Sequence, residues 1–81
     1  MYGVEYSRQA RAQADGLLPA AKRALAEAIE QLGHDPWLGQ RALGYLPEFH
    51  TWAFGEWGLV FYLIRDRRST VLLLDIIWAG P

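Results

Sequence analysis

The residues best suited to acid–base chemistry are a histidine and two glutamates in the second half of the chain. His50 lies between Glu48 and Glu56 in the sequence. An unperturbed imidazole titrates near neutral pH, so His50 is a candidate proton carrier and Glu56 is an alternative base. The competing interpretation is a partly exposed strand histidine flanked by solvated carboxylates, because both glutamates border predicted turns. The sequence leaves both interpretations open.

The densest positive charge in the chain is the segment Arg65-Asp66-Arg67-Arg68. Clustered arginines attract phosphate, so Arg67 and Arg68 are candidate binding residues at the tip of a hairpin. The alternative is that these side chains are solvated turn residues that discourage pairing at the edge of a sheet.

Three tryptophans of this region are candidate base-stacking residues, namely Trp52, Trp57 and Trp78. In so small a chain, tryptophans are also expected as core residues or as contacts to a partner protein. No metal or other cofactor is predicted. The two histidines, His34 and His50, are far apart and have no ordered set of carboxylates beside them, so no diagnostic ligand spacing is present.

These candidates fall on predicted β-strands near the end of the chain. Residues 57–64 and 70–79 are apolar runs joined by the charged turn, and residues 48–54 are predicted to form the strand before them. The runs are too short to span a membrane. A hairpin this apolar must be covered on at least one face, and the region upstream offers helices for that purpose.

The upstream region predicts one strand and two helices. Residues 2–6 alternate in a strand-like way, and Ser7 is suited to cap a helix over residues 8–15. Pro19 suits the first turn of a second helix that continues to Leu32. Residues at helical spacing form an apolar stripe on this second helix: Ala21, Ala24, Leu25, Ala28, Ile29 and Leu32. Residues 37–46 show no sustained period and are predicted to be loop or short irregular turns.

The order of these elements predicts a single α+β domain over residues 1–81. We expect an N-terminal strand, a two-helix hairpin and a three-stranded antiparallel meander, with the helices on one face of a roughly four-stranded sheet. Leu25, Ile29 and Leu32 should contact the last two strands. Asp75 lies inside an apolar strand and needs a partner or water; Arg41 and the hairpin arginines are candidate partners, and the sequence leaves the choice open.

Composition restricts the functional class. The chain has 81 residues, 52% of them hydrophobic, and a net charge of -1, which argues against strong generic attraction to a polyphosphate. It has no cysteine, and its first residues lack the pattern of a secretory signal. We therefore expect a cytoplasmic protein without a membrane segment.

The order and spacing of several short motifs resemble the RelE/ParE superfamily of toxins from bacterial type II toxin-antitoxin systems. The matching positions, which span nearly the whole chain, are Tyr6-Ser7 with Ala10 and Ala14, Leu32 with Asp35-Pro36, Gly55-Glu56-Trp57 before Leu59-Val60-Phe61-Tyr62, and the final strand Val71 to Ile77.

The resemblance implies a toxin that is held inactive by a cognate antitoxin and that cleaves messenger RNA on the ribosome or poisons DNA gyrase. RNA-cleaving members carry basic residues that stabilise charge in the reaction. Here Gly58, Thr51, Ala53 and Ala79 stand at such positions. We therefore predict weak or absent RNA cleavage, with His50, Glu56 and Arg65 as the catalytic candidates if cleavage occurs. The alternative function is a non-catalytic binding protein that keeps the fold.

A protein partner is expected in either case. Four tryptophans and two very apolar strands exceed what so small a domain readily buries. By the resemblance this partner is an antitoxin, whose segment adds a strand or fills a groove. A homodimer is the alternative use of the same surface.

Overall fold

A computed structural model describes residues 1–41 and 49–81 of the chain. Its elements are, in chain order, β1 (Gly3–Tyr6), α1 (Arg8–Asp15), α2 (Pro19–His34), a 3₁₀ turn (Pro36–Leu38), β2 (Gln40–Arg41), β3 (Phe49–Phe54), β4 (Gly58–Arg65), a second 3₁₀ turn (Asp66–Arg68) and β5 (Thr70–Trp78).

The strands of the described residues form one sheet with the order β1-β5-β4-β3-β2. The predicted meander of β3, β4 and β5 is antiparallel, and β1 joins it in parallel beside β5. The predicted fold class is confirmed. The short strand β2 adds to the expected sheet, since residues 37–46 were predicted to be loop. Residues 42–46 of that loop and Glu48 lie outside the described residues.

Local sequence explains where the helices begin. The Ser7 side chain accepts a hydrogen bond from the backbone N–H of Ala10 at 3.0 Å, which satisfies a free donor at the start of α1. Pro19 is the first residue of α2, where its missing N–H costs nothing. Both predicted helix starts are therefore confirmed.

The core lies between α2 and one face of the sheet. Leu25, Ala28 and Leu32 of α2 are buried and pack in one cluster with side chains from the two central strands. Those strand residues are Val60, Tyr62, Ile64, Val71, Leu73 and Ile76. The cluster also includes Ala10 and Ala14 of α1, so small side chains let the short helix approach the sheet closely. The expected contacts of the helical stripe with β4 and β5 are confirmed.

The other face of the sheet is also mainly apolar. Successive strand residues point to opposite faces, so the neighbours of the buried β4 residues point away from the helices. The pairing register aligns these residues across β3, β4 and β5. We call the uncharged ones the far face: Thr51, Ala53, Leu59, Phe61, Leu63, Leu72 and Ile77. Asp75 lies among them, opposite Phe61. Ile77 is 45% exposed, so at least this part of the far face is accessible to a partner.

Helix α1 completes the edge of the sheet beyond the end of β1. Gln13 accepts a hydrogen bond from the backbone N–H of Ile76 at 2.7 Å and donates one to the Asp75 carboxylate at 2.6 Å. Gln9 donates a second hydrogen bond to Asp75 at 3.1 Å. The partners of Asp75 are therefore amide side chains and not the candidate arginines. Amide side chains satisfy the carboxylate because α1 runs along the edge of β5, a long-range contact that strand patterning does not reveal.

The core assignment predicts a large difference between two leucines of the same helical region. Leu25 is 4% exposed, and Leu25→Ala should lower the free energy of unfolding by about 2 to 5 kcal/mol, because it leaves a cavity under the sheet. Leu18 is 64% exposed, so Leu18→Ala should change the stability by less than about 0.5 kcal/mol. Urea unfolding monitored by circular dichroism measures both. Equal losses would contradict the assigned core.

Candidate functional site

His50 lies in a buried aromatic environment on the helix-covered side of β3. Its exposed fraction is 5%. The imidazole packs edge-on against Trp37 with ring centroids 5.5 Å apart and stacks on Tyr62 at 5.7 Å. The pairing of His50 with Tyr62 across β3 and β4 fixes this arrangement. Such burial favours a structural role, and proton transfer by His50 stays a prediction.

Tyr62 ties the first 3₁₀ turn to the sheet. Its hydroxyl donates a hydrogen bond to the backbone carbonyl of Pro36 at 2.6 Å, and burial raises the pKa of the phenol to about 12. Gly39 lies directly against this hydroxyl, and a Cβ at that position would also stand 2.6 Å from the Thr51 carbonyl oxygen. A side chain at position 39 would therefore push the 3₁₀ turn away from the sheet.

The other two catalytic candidates lie at opposite ends of β4. Glu56 is exposed in the turn between β3 and β4, where Gly55 has φ +60°. Arg65 ends β4, and the eight residues of this strand separate its ends by roughly 25 Å. Arg65 also points to the face opposite His50, because their positions in the register alternate. The structure does not bring His50, Glu56 and Arg65 together in one site.

The arginines predicted to bind phosphate lie together at the β4–β5 turn. Arg67 and Arg68 are exposed in the second 3₁₀ turn. Arg65 forms an ion pair with Glu5 of β1 at 3.7 Å. The neighbouring Asp66 accepts a hydrogen bond from the Tyr2 hydroxyl, and this contact raises the pKa of the Tyr2 phenol. This end of the sheet is therefore a surface rich in cations.

The three candidate tryptophans differ in accessibility. Trp57 is 53% exposed beside Gly80, and its carbonyl accepts a hydrogen bond from Ala79. Trp78 stacks on Phe54 with centroids 5.6 Å apart, while its indole N–H donates to the Pro81 carbonyl. Trp52 is half-buried against the core. Trp57 is therefore the most accessible of the three for stacking on a base or a partner residue.

The sequence analysis attributes a partner surface to the two very apolar strands but does not say which of their residues form it; the structure gives these as the far face. A signal was present, because β4 is apolar at every position from Leu59 to Ile64. A strand with one solvated face alternates between apolar and polar residues, whereas a continuous apolar run indicates a strand that is covered on both faces. The helices cover only one face of β4.

Two further expectations concern metals and membranes. Within residues 1–41 and 49–81, no group of three or more histidine, cysteine, aspartate or glutamate side chains could hold a metal ion. No helix in the same ranges is long and apolar enough to cross a membrane.

No protein-family model and no curated protein sequence matches this chain. Solved structures do match over nearly all of it. A chain of the intact Escherichia coli RelBE toxin–antitoxin complex aligns with TM-score 0.82 and 13% identity, covering 100% of both chains. The isolated E. coli RelE toxin aligns with TM-score 0.85 and 13% identity, covering 100% of this chain and 87% of that chain.

A chain of the RelBE2 toxin–antitoxin complex from Mycobacterium tuberculosis is also similar. It aligns with TM-score 0.83 and 25% identity, covering 95% of this chain and 96% of that chain. The similarity to these structures shows that the order of strands and helices described above is that of a RelE/ParE-like toxin fold. The resemblance inferred from the sequence is confirmed at the level of the fold.

The environment of Tyr62 predicts a loss of stability at alkaline pH. A phenol whose pKa is raised from 10.0 to about 12 by folding favours the folded state while it is protonated. Its contribution should be complete below pH 10.0 and should disappear as the pH rises to about 12. The free energy of unfolding in urea, measured across this range, should fall more steeply for the wild-type chain than for Tyr62→Phe.

Tyr2→Phe is the matched control for this experiment, because the Tyr2 hydroxyl bonds to the exposed Asp66 and lies outside the core. The free energy of unfolding of Tyr2→Phe should still fall at alkaline pH by most of the amount seen in the wild type. A decline of equal steepness in the wild type and in Tyr62→Phe would contradict the assigned role of the buried hydroxyl.

Proposed function

We propose that this chain is the toxin component of a bacterial type II toxin–antitoxin system and is neutralised by a cognate antitoxin. The observation that carries the proposal is the fold, which matches RelE both in the isolated toxin and in the complexes with RelB over nearly the full chain. The proposal treats residues 1–81 as one toxin domain that acts in the cytoplasm.

The far face supports a protein partner. It places Leu59 and Leu63 of β4 beside Ile77 and Leu72 of β5, and Phe61 between them lies opposite Asp75, whose carboxylate is bonded by α1. The fully buried core of a protein interface is mainly apolar, as the side chains that β4 contributes to this surface are. An extended or helical antitoxin segment laid across the far face would cover the second side of β4. A homodimer through the same surface is the alternative occupant.

The mode of action that we propose is binding to a target of the translation machinery or to DNA gyrase, with little RNA cleavage. Attack by a 2′-hydroxyl on phosphate needs cationic groups at the developing charge, and one such donor contributes about 10² to 10³ in rate. Thr51 and Ala53 of β3 and Gly58 of β4 carry no charge. The cation of β4, Arg65, is already paired with Glu5.

The experiment that tests the toxin proposal is induced expression of the chain with and without the protein encoded by the neighbouring reading frame. Expression alone should arrest growth, and co-expression should restore it. A matched strain that expresses Leu25→Ala separates toxicity of the folded protein from the burden of expression, because this variant loses core packing. Normal growth during strong expression of folded wild-type protein would contradict the proposal.

RNA analysis during the arrest addresses the mode of action. We expect transcripts to stay intact, because cationic side chains are missing from the sites named above. If cleavage is observed, either His50→Ala or Arg65→Ala should lower its rate at least about tenfold with folding preserved. Only one of the two can act at the reacting bond, because the side chains lie on opposite faces of the sheet. Strong cleavage that survives both substitutions would show that the site lies elsewhere.

The far face predicts a selective loss of antitoxin affinity. Ile77→Asp places a charge in the apolar surface and should weaken binding at least about tenfold, or about 1.4 kcal/mol. Leu18→Asp is the control, because Leu18 is an exposed aliphatic residue at the start of α2, outside the far face. Isothermal titration calorimetry measures both affinities. Similar affinities for the two variants would place the antitoxin on another surface.

A further inference from the structure

The β4–β5 turn is held to the N-terminal strand by several contacts. The Ser69 N–H donates to the Asp66 carbonyl at 3.0 Å, and the Gly3 N–H donates to the Ser69 carbonyl at 2.9 Å. Ser69 has φ 50° and ψ 46°, a left-handed conformation that closes the turn. The Tyr2 hydroxyl bonds to the Asp66 side chain. The backbone that carries Arg67 and Arg68 is therefore fixed from both sides.

These same contacts leave two arginines with unbalanced charge. Asp66 is the acidic residue nearest in sequence to both, and its carboxylate is engaged by Tyr2. Arg65 is engaged by Glu5. In the part of the chain that the structure describes, Arg67 and Arg68 form no ion pair. Two exposed arginines at consecutive positions of a fixed turn, both lining one depression, are suited to phosphate groups, which accept hydrogen bonds from guanidinium.

The surface around the turn fits a nucleic acid better than a protein. An open depression lies there, lined by Ile64, Arg65, Asp66, Arg67 and Arg68. None of the large exposed apolar residues of the described ranges falls within residues 64–70. Protein interfaces concentrate their energy in desolvated aromatic and apolar anchors, which this turn lacks. Contacts to a phosphate backbone need only charge and hydrogen-bond donors.

We propose that Arg67 and Arg68 form a contact site for the phosphodiester backbone of a nucleic acid, presented by the anchored β4–β5 turn. The site reads charge and not sequence. It rests on the geometry of the turn and is independent of the toxin assignment, because it lies at the end of β4 and not on the far face. The contact positions the protein on a nucleic acid without supplying the chemistry of cleavage.

The salt dependence of binding tests this proposal. Each phosphate that a protein neutralises on a single strand contributes about −0.7 to the slope of log K against log salt. The probe is a fluorescein-labelled short oligouridylate, and its anisotropy is measured between about 50 and 200 mM KCl. The double variant Arg67→Ala/Arg68→Ala should flatten the slope by about 1.4, and Arg67→Lys/Arg68→Lys should keep most of it.

Arg8→Ala/Arg23→Ala is the matched control, because it removes two exposed arginines from the helices and leaves the turn intact. Its slope should equal that of the wild type. Binding of a labelled oligodeoxythymidylate and competition by inorganic phosphate show whether the turn binds RNA, DNA or free phosphate. Circular dichroism of each variant confirms that the fold is retained.

Two results would overturn the proposal. One is a salt-dependence slope in Arg67→Ala/Arg68→Ala that equals the wild-type slope, or an equal flattening of the slope in the control variant Arg8→Ala/Arg23→Ala. The other is competition by polyglutamate at least as strong as that by unlabelled oligouridylate at equal charge, which would assign the turn to an acidic protein segment. Loss of RNA binding in the turn variant, with growth arrest and antitoxin binding unchanged, would support the turn site separately from the toxin function.

Discussion

The fold depends on the burial of one face of β4 under the helices. Val60, Tyr62 and Ile64 are each at most 1% exposed. They belong to one buried cluster with residues of the neighbouring strand β5 and of α2, which covers this face of the sheet. Burying an aliphatic or aromatic side chain contributes about 1.5 to 3 kcal/mol, so this strand anchors the domain. Because β4 pairs with both β3 and β5, its position also fixes every candidate functional residue.

This constraint divides the functional candidates among separate places. Residues that share the covered face, such as His50, become part of the core. Residues at the two ends of β4 lie roughly 25 Å apart, so Glu56 and Arg65 cannot act on the same bond. Strand residues that alternate with the buried ones along β4, such as Phe61, form the far face. The geometry therefore supports binding surfaces more strongly than a compact catalytic centre.

Much of the fold could be predicted from local patterns. The apolar stripe from Ala21 to Leu32 indicates α2, and Ser7 and Pro19 indicate where the helices begin, because capping and proline effects act over a few residues. The antiparallel meander follows from consecutive apolar runs. The parallel pairing of β1 with β5 joins residues more than sixty positions apart, such as Val4 and Val71, and no local signal specifies it.

The candidate site was less predictable for the same reason. Residue types indicate which side chains could do chemistry, but not which face of the sheet each one joins. Shifting a strand by one residue reverses its faces, so burial of His50 depends on a register that only the folded sheet defines. The Asp75 partners were also missed, since Gln9 and Gln13 reach it through the packing of α1 on the edge of β5.

We propose that the far face binds the protein partner and that the helix-covered face is structural. Methyl NMR of the labelled chain, alone and bound to the protein encoded by the neighbouring reading frame, tests it most directly. Large shift changes and cross-saturation at Leu59, Leu63, Leu72 and Ile77, with small changes at Leu25 and Leu32, are the predicted result. Changes concentrated at exposed methyl groups of α1 and α2, with the far-face methyl groups unaffected, would instead place the partner on the helices and contradict the proposed binding surface.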